Sequence, residues 1–195
     1  MRRSLRTTSL LFGMFAGAVA YAAAPAVSVH DQESAVLRLV LHRYAAHRGG
    51  EISQTLLLPV SINPSDLSAD LSAVARSGAP RELVEKARLS FGGEQMHFGD
   101  VRTPFRVATL HELAQVRSLS PTGVEKWKWD RFAKQFPNQG GILEFGVPAF
   151  DATRNIAVIY MRHLCGEQCG ETYLYCLVRT NEGWVIATDL PLSAQ

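Results

Sequence analysis

The last third of the chain has an apolar pattern that is typical of a sheet. After Gly141 the apolar residues recur with a period of two, and turn-forming residues interrupt them at short intervals. Four successive strands are predicted, over residues 142–147, 155–163, 171–179 and 183–190. Because the connections between them are short, we expect neighbouring strands to be antiparallel and to form a meander.

Both faces of this sheet are predicted to be buried. In the second strand Ala157, Ile159 and Met161 point to one face, and Val158 and Tyr160 point to the other. A sheet that is apolar on both sides needs cover on both sides. We therefore expect helices to cover one face and the other face to be partly shielded as well.

Helical spacing dominates the residues before the sheet. A long helix is predicted from a cap at Ser28 to a stop at Gly49. Shorter helices are predicted over 66–76, 81–89 and 122–135. A strand is predicted over 53–62, with Pro59 placing it at an edge or ending it early. The predicted class is α+β, with N-terminal helices packed on a C-terminal four-stranded antiparallel meander.

The N-terminus has the pattern of an export signal. A basic region over residues 1–6 precedes an apolar run over residues 10–21. Small residues at Ala20 and Ala22 predict cleavage between Ala22 and Ala23. The run is shorter than the roughly 20 residues of a membrane-spanning helix, so we expect removal of the signal and a periplasmic or secreted protein.

One domain is predicted after the signal. Residues 1–22 are the signal peptide, residues 23–28 a flexible tail and residues 29–192 a single α+β domain. The whole chain has a net charge of +2, and the signal carries three arginines and no acidic residue, so the mature chain lies near −1. Its charges are scattered, which gives nucleic-acid binding no electrostatic support. No membrane span is expected after signal removal.

All three cysteines lie close together near the C-terminus. Cys165 and Cys169 are predicted to lie in a loop between two strands, where their Cα atoms can approach to the roughly 4.4–6.8 Å of a disulfide. In an oxidising compartment this disulfide is the leading hypothesis. Cys176 shares a strand face with Leu174 and is predicted to be a buried free thiol.

Three other uses of the cysteines remain open. A redox site would use Cys165 and Cys169, although such sites typically have two intervening residues at a helix N-terminus. A metal site could recruit His163 with the same two thiolates, but a structural site normally needs four ligands. Cys176 could instead pair with one loop cysteine. Because the spacing disfavours redox and metal chemistry, no metal and no cofactor are assigned.

The sequence contains no recognisable catalytic motif, and no catalytic residue is assigned. His97, His111 and His163 are each isolated along the chain. A hydrolase would need Asp151 or Glu144 to approach His163 in space. Asp151 and His163 are therefore kept as a candidate loop site.

Several C-terminal motifs occur in a characteristic order: W-x2-F-x3-F-P from Trp129, A-V-I-Y from Ala157, C-G-x2-C-G from Cys165 and G-W from Gly183. This order resembles a group of small exported bacterial proteins of unknown function, over residues 124–190. The resemblance implies an exported domain and supplies no catalytic residues. A more distant resemblance to cone folds of the nuclear-transport-factor-2 type implies a curved antiparallel sheet as the alternative architecture.

These observations favour an exported domain that binds a small molecule or a protein, or serves an envelope role, without catalysis. The alternatives are a thiol-redox enzyme that uses Cys165 and Cys169, or a hydrolase with a site near Asp151 and His163. A third alternative is a purely structural domain of a larger assembly.

Thiol counting tests the predicted disulfide. The denatured exported protein should have one alkylatable thiol before reduction and three after it, because only Cys176 is left unpaired. Intact mass after alkylation measures both numbers. In a Cys176→Ala control the unreduced protein should not react at all. Three reactive thiols in both states, or alkylation of the unreduced control, would contradict the pairing.

Overall fold

A computed structural model describes residues 28–48, 54–62, 78–90, 92–100, 104–119 and 125–194. The predicted signal with its cleavage site at Ala22 and Ala23, residues 23–27 of the predicted tail and the predicted helix over 66–76 lie outside these residues. Among the helices that are described, none is long and apolar enough to cross a membrane.

Four helices occur in the described residues. They are α1 (Val29–His47), α2 (Arg81–Arg88), α3 (Leu110–Val116) and α4 (Trp129–Gln135). The predicted cap of α1 is present, since the Ser28 hydroxyl accepts the Asp31 N–H at 3.1 Å. A capping box of Thr109 and Glu112 starts α3.

Nine strands occur in the described residues. They are β1 (Gln54–Leu57), β2 (Phe105–Val107), β3 (Arg117–Leu119), β4 (Glu125–Trp127), β5 (Gln139–Phe145), β6 (Ala149–Phe150), β7 (Ile156–Gly166), β8 (Cys169–Thr180) and β9 (Gly183–Ala194). Seven of them form one sheet in the order β2-β1-β5-β7-β8-β9, with β6 paired to β7. Strand β1 runs parallel to β2 and β5, and the other pairs in this sheet are antiparallel. The protein is thus α+β with a mixed, mostly antiparallel sheet.

Strand β1 lies inside the sheet, between β2 and β5. It ends at Leu57, so Pro59 lies beyond the strand and removes no hydrogen bond from the ladder. Of the two effects predicted for Pro59, the structure therefore has the early end and not the edge position.

The helix predicted over 122–135 is wrong in its first half. Helix α4 begins only at Trp129, and residues 125–127 pair with residues 117–119 as an antiparallel ribbon. The guanidinium of Arg117 lies over the Trp127 ring, 4.9 Å from its centroid. This cation–π contact and the ribbon pairing join residues that are six to ten apart, so a local helical pattern does not reveal them.

Strand β7 separates two apolar clusters. Ala157, Ile159 and Met161 are fully buried in a cluster that includes the apolar stripe of α1. Val158 and Tyr160 are equally buried in a second cluster with side chains of α2, α3 and α4. The predicted alternation along this strand is confirmed, and helices contribute to the core on both sides of the sheet.

Substitution of Leu143 tests the core on the α1 side. Leu143 is fully buried in that cluster, so Leu143→Ala should lower the free energy of unfolding by about 2–5 kcal/mol. The matched control is Leu110→Ala, because Leu110 is 61% exposed and its truncation should change the free energy by less than about 0.5 kcal/mol. Urea titration followed by circular dichroism measures both. Equal losses in the two variants would contradict the assigned core.

Candidate functional site

A cavity of about 500 Å³ lies where the start of α1, the loop over residues 94–97 and the turn between β6 and β7 meet. Its volume falls in the range of roughly 300–1,000 Å³ that small-molecule sites occupy. Its lining includes the apolar Val147, Pro148 and Phe150 and polar side chains from the helix and the loop. We call this cavity the α1 pocket.

Three side chains in the α1 pocket converge from distant parts of the chain. His30 and Glu33 are three residues apart on α1 and therefore share one face of its first turn. Their Nδ1 and Oε2 atoms are 3.9 Å apart. His97 approaches from the loop, with its ring centroid 3.9 Å from that of His30. One donor atom from each of the three residues lies within 4.8 Å of the other two.

The loop that carries His97 is anchored in the core. Met96 and Phe98, on either side of His97, are 6% and 3% exposed, respectively. Phe98 packs edge-on against Phe145 of β5, and the Met96 N–H donates to the carbonyl of Pro59 at 2.9 Å. Because its two neighbours are buried, the backbone of His97 is held in a fixed position relative to α1.

Two further hydrogen bonds tie this loop to α1. The backbone N–H of His97 donates to Glu33 Oε1 at 3.3 Å. The Ser34 hydroxyl donates to the carbonyl of His97 at 2.5 Å. The Glu33 carboxylate is thereby oriented, with its other oxygen towards His30.

Asp151, one of the two predicted site residues, also lines the α1 pocket, but its carboxylate serves the turn that precedes β7. Oδ1 accepts the N–H groups of Asn155 and Ile156 at 2.7 and 2.8 Å, and Oδ2 accepts the hydroxyl of Thr153. These bonds, first the one from Thr153, lower the pKa of Asp151. The carboxylate is therefore an acceptor inside a turn.

The two cationic side chains of the α1 pocket are both engaged by Phe150. Lys86 Nζ donates to the Phe150 carbonyl at 3.0 Å. The Arg154 guanidinium lies over the Phe150 ring, 5.6 Å from its centroid. The side chains left to meet a ligand are consequently electron-pair donors, chiefly the two imidazoles and the Glu33 carboxylate.

His163, the other predicted site residue, belongs to a polar network at the opposite end of α1. Arg48 Nη2 donates to Glu171 Oε2 at 2.8 Å and to His163 Nδ1 at 3.1 Å. Arg48 Nε donates to the Tyr44 hydroxyl at 3.2 Å, and the Tyr173 hydroxyl donates to Glu171 Oε2 at 3.0 Å. We call these five side chains the Arg48 network.

The partners of His163 define its protonation state. Arginine can only donate, so Nδ1 accepts. The carbonyl of Gly140 can only accept, so Nε2 carries the ring hydrogen and donates to that carbonyl at 3.3 Å. The ring is therefore neutral. Burial, and then the charge of Arg48, lower the pKa of His163. At Gly141 a Cβ would collide with this ring and with the Leu164 carbonyl, so only glycine fits there.

The structure does not bring Asp151 and His163 together. Asp151 precedes the start of β7, and His163 lies about 23 Å farther along that strand than Ile156. Glu144, the other predicted acid, is paired with Arg162, with Oε2 and Nη2 2.5 Å apart. The acid–histidine arrangement that a hydrolase would need at His163 is absent from the described residues.

Cys165 and Cys169 are joined by a disulfide, with their Cα atoms 5.1 Å apart. The prediction that both cysteines lie in a loop is wrong. Strand β7 continues to Gly166 and β8 begins at Cys169, so each cysteine lies in a strand and the turn between the strands is shorter than predicted. Cys176 is a free and buried thiol, as predicted, and burial raises its pKa. With both tip sulfurs bonded and His163 held by Arg48, these residues do not form a metal site.

The sequence patterns did not single out His30, Glu33 and His97. The spacing of His30 and Glu33 is a weak signal, since it places both on one face of a helix. The apolar residues on either side of His97 indicate an anchored loop. What the sequence cannot supply is the contact between these two segments, which are more than sixty residues apart.

The neutral state of His163 predicts a pH dependence of stability. Its pKa is lowered below the ordinary value of 6.5, so the unfolded chain takes up this proton first as the pH falls. The contribution of neutral His163 to the free energy of unfolding is therefore present above pH 6.5, and it is lost as the pH falls below that value. In urea titrations at about pH 7.5 and about pH 5.5, His163→Gln should lose less stability on acidification than the wild type.

The matched control is His42→Gln, which replaces an exposed histidine of α1. This variant should keep the pH dependence of the wild type. An unchanged pH dependence in His163→Gln would mean that the ring is not held neutral by its partners.

Comparison of the chain with protein-family models, curated protein sequences and solved structures found no match.

Proposed function

We propose that this chain is an exported domain that binds a small ligand in the α1 pocket and catalyses no reaction. The observation that carries the proposal is the construction of that pocket. Its lining combines the apolar side chains of Val147, Pro148 and Phe150 with the convergent polar side chains of His30, Glu33 and His97. Such a combination of apolar surface and a few convergent polar groups is typical of small-molecule sites.

The anchoring of the pocket supports binding. The loop that carries His97 is fixed by the buried Met96 and Phe98, and the opposite turn is fixed by the hydrogen bonds of Asp151. A ligand would therefore meet walls that are already in place, which reduces the entropy cost of binding.

The two enzymatic alternatives have less support. A thiol-redox site gains from a helix N-terminus, whereas Cys165 and Cys169 lie at the tip of a hairpin. A hydrolase needs an acid that orients its histidine, whereas Asp151 is occupied by its turn and His163 by Arg48.

Export to the periplasm or to the medium is part of the proposal. A disulfide between Cys165 and Cys169 suits an oxidising compartment, and residues 1–22 have the composition of a signal peptide. The resemblance of residues 124–190 to small exported bacterial proteins agrees with this location.

For the architecture we propose helices packed on a meander of β5, β7, β8 and β9, with a cone of the nuclear-transport-factor-2 type as the alternative. The order of these four strands in the sheet and the apolar stripe of α1 support the proposal.

Obstruction of the α1 pocket tests the proposed function. Ala152 is exposed and lines the cavity, so Ala152→Trp should fill it without disturbing the core. Native mass spectrometry of the purified wild type should detect a retained ligand as extra mass, and the variant should lose it. Leu110→Trp is the matched control, because it places the same side chain at an exposed position on α3. Retention by Ala152→Trp, or no extra mass on any form of the protein, would contradict the proposal.

A further inference from the structure

We infer that the α1 pocket binds a divalent transition-metal ion, with Zn²⁺ as the best match, through His30, Glu33 and His97. This assignment rests on the proposed function, because it names the ligand of the same pocket.

The donor set determines the class of ion. Two imidazole nitrogens and one carboxylate oxygen are ligands that Zn²⁺ and the neighbouring divalent metals prefer, whereas Ca²⁺ and Mg²⁺ prefer oxygen alone. Asp151 is not counted, because its oxygens accept hydrogen bonds within the turn before β7.

The distances fit an ion after a small adjustment. Around a tetrahedral Zn²⁺, ligand atoms that are each about 2.0–2.1 Å from the metal are about 3.4 Å from one another. The three donors already lie within 4.8 Å of one another, and His30 Nδ1 is 3.9 Å from Glu33 Oε2. The His30 side chain is 66% exposed and can rotate, so it can close the remaining gap.

Two of the three ligands are held in place by the surrounding structure. The His97 N–H binds Glu33 Oε1, which orients the carboxylate, and the Ser34 hydroxyl holds the His97 carbonyl. Hydrogen bonds to a ligating carboxylate, such as the one to Glu33, are common in established metal sites and raise affinity, whereas the bond from Ser34 fixes the backbone that carries the His97 ring. His30 then serves as the mobile third ligand on an otherwise prepared site.

The charged residues that line the pocket are the acidic Glu33, Glu94 and Asp151 and the basic Lys86 and Arg154. Lys86 and Arg154 contact the Phe150 carbonyl and ring, respectively. Three protein ligands leave a fourth tetrahedral position open, and all three line a cavity of about 500 Å³. Water or a small anionic molecule can occupy that position, which links the metal to the ligand of the proposed function.

Zinc titration of the exported protein tests the inference. After EDTA treatment and dialysis, isothermal titration calorimetry with ZnCl₂ should give about one Zn²⁺ per chain. His97→Ala and His30→Ala should each weaken binding by about 100-fold or more, since even the outer partners of metal ligands contribute about 10- to 100-fold. The matched control His111→Ala, which truncates an exposed histidine of α3, should bind as the wild type does.

A second readout separates loss of a ligand from loss of the fold. Loading with Co²⁺ should give the intense visible bands of tetrahedral coordination in the wild type and in His111→Ala. These bands should disappear in His97→Ala, while its far-ultraviolet circular dichroism stays unchanged. Absence of Zn²⁺ binding in the wild type, or equal binding by the wild type and the His30 and His97 variants, would overturn the inference.

The outcomes distinguish this inference from the proposed function. A retained organic ligand that is lost in Ala152→Trp, together with no Zn²⁺ binding, would leave the proposed function standing and overturn the metal site. Zn²⁺ binding that depends on His30 and His97, with no retained organic ligand, would support the metal site and overturn the binding of an organic ligand.

Discussion

The rest of the structure depends on the burial of β7 on both faces. Side chains that alternate along this strand belong to two separate apolar clusters, one with α1 and one with α2, α3 and α4. Each cluster joins side chains of the sheet to side chains of helices on its own face. The start of α1 lies near the turn before β7, and its end lies near His163, towards the end of β7. The α1 pocket and the Arg48 network therefore lie at opposite ends of α1.

Helix α1 connects the two polar sites. It carries His30 in its first turn and is followed by Arg48, about 27 Å away along the helix axis. At the first end the donors are left open to a cavity, and at the other end Arg48, His163 and Glu171 satisfy one another. This difference supports the proposed ligand binding at the first end, and it indicates a structural role for the Arg48 network at the second. A mutual network of donors and acceptors has little capacity left for a ligand.

The sequence predicts the elements that depend on local periodicity. The cap at Ser28, the alternation along β7 and the buried thiol of Cys176 follow from spacing alone, and the structure contains all three. The ribbon of β3 and β4, which replaces the first half of the predicted helix over 122–135, does not follow from local spacing, because it depends on pairing with residues 117–119. The α1 pocket was missed for the same reason. The cluster of His30, Glu33 and His97 forms only if the loop at His97 packs on α1, which lies more than sixty residues before it in the sequence. No local pattern predicts that contact.

The disulfide at the tip of β7 and β8 closes a very small ring. Its cysteines are separated by four positions, so in the chain-entropy model the bond removes few conformations from the unfolded chain and contributes about 2 kcal/mol. Its main effect is local. The cross-link lies two residues beyond the directly paired His163 and Glu171, both of which bind Arg48. We therefore expect reduction of this bond to weaken the contacts of Arg48 with His163 and Glu171, and to have little effect on the packing of the core.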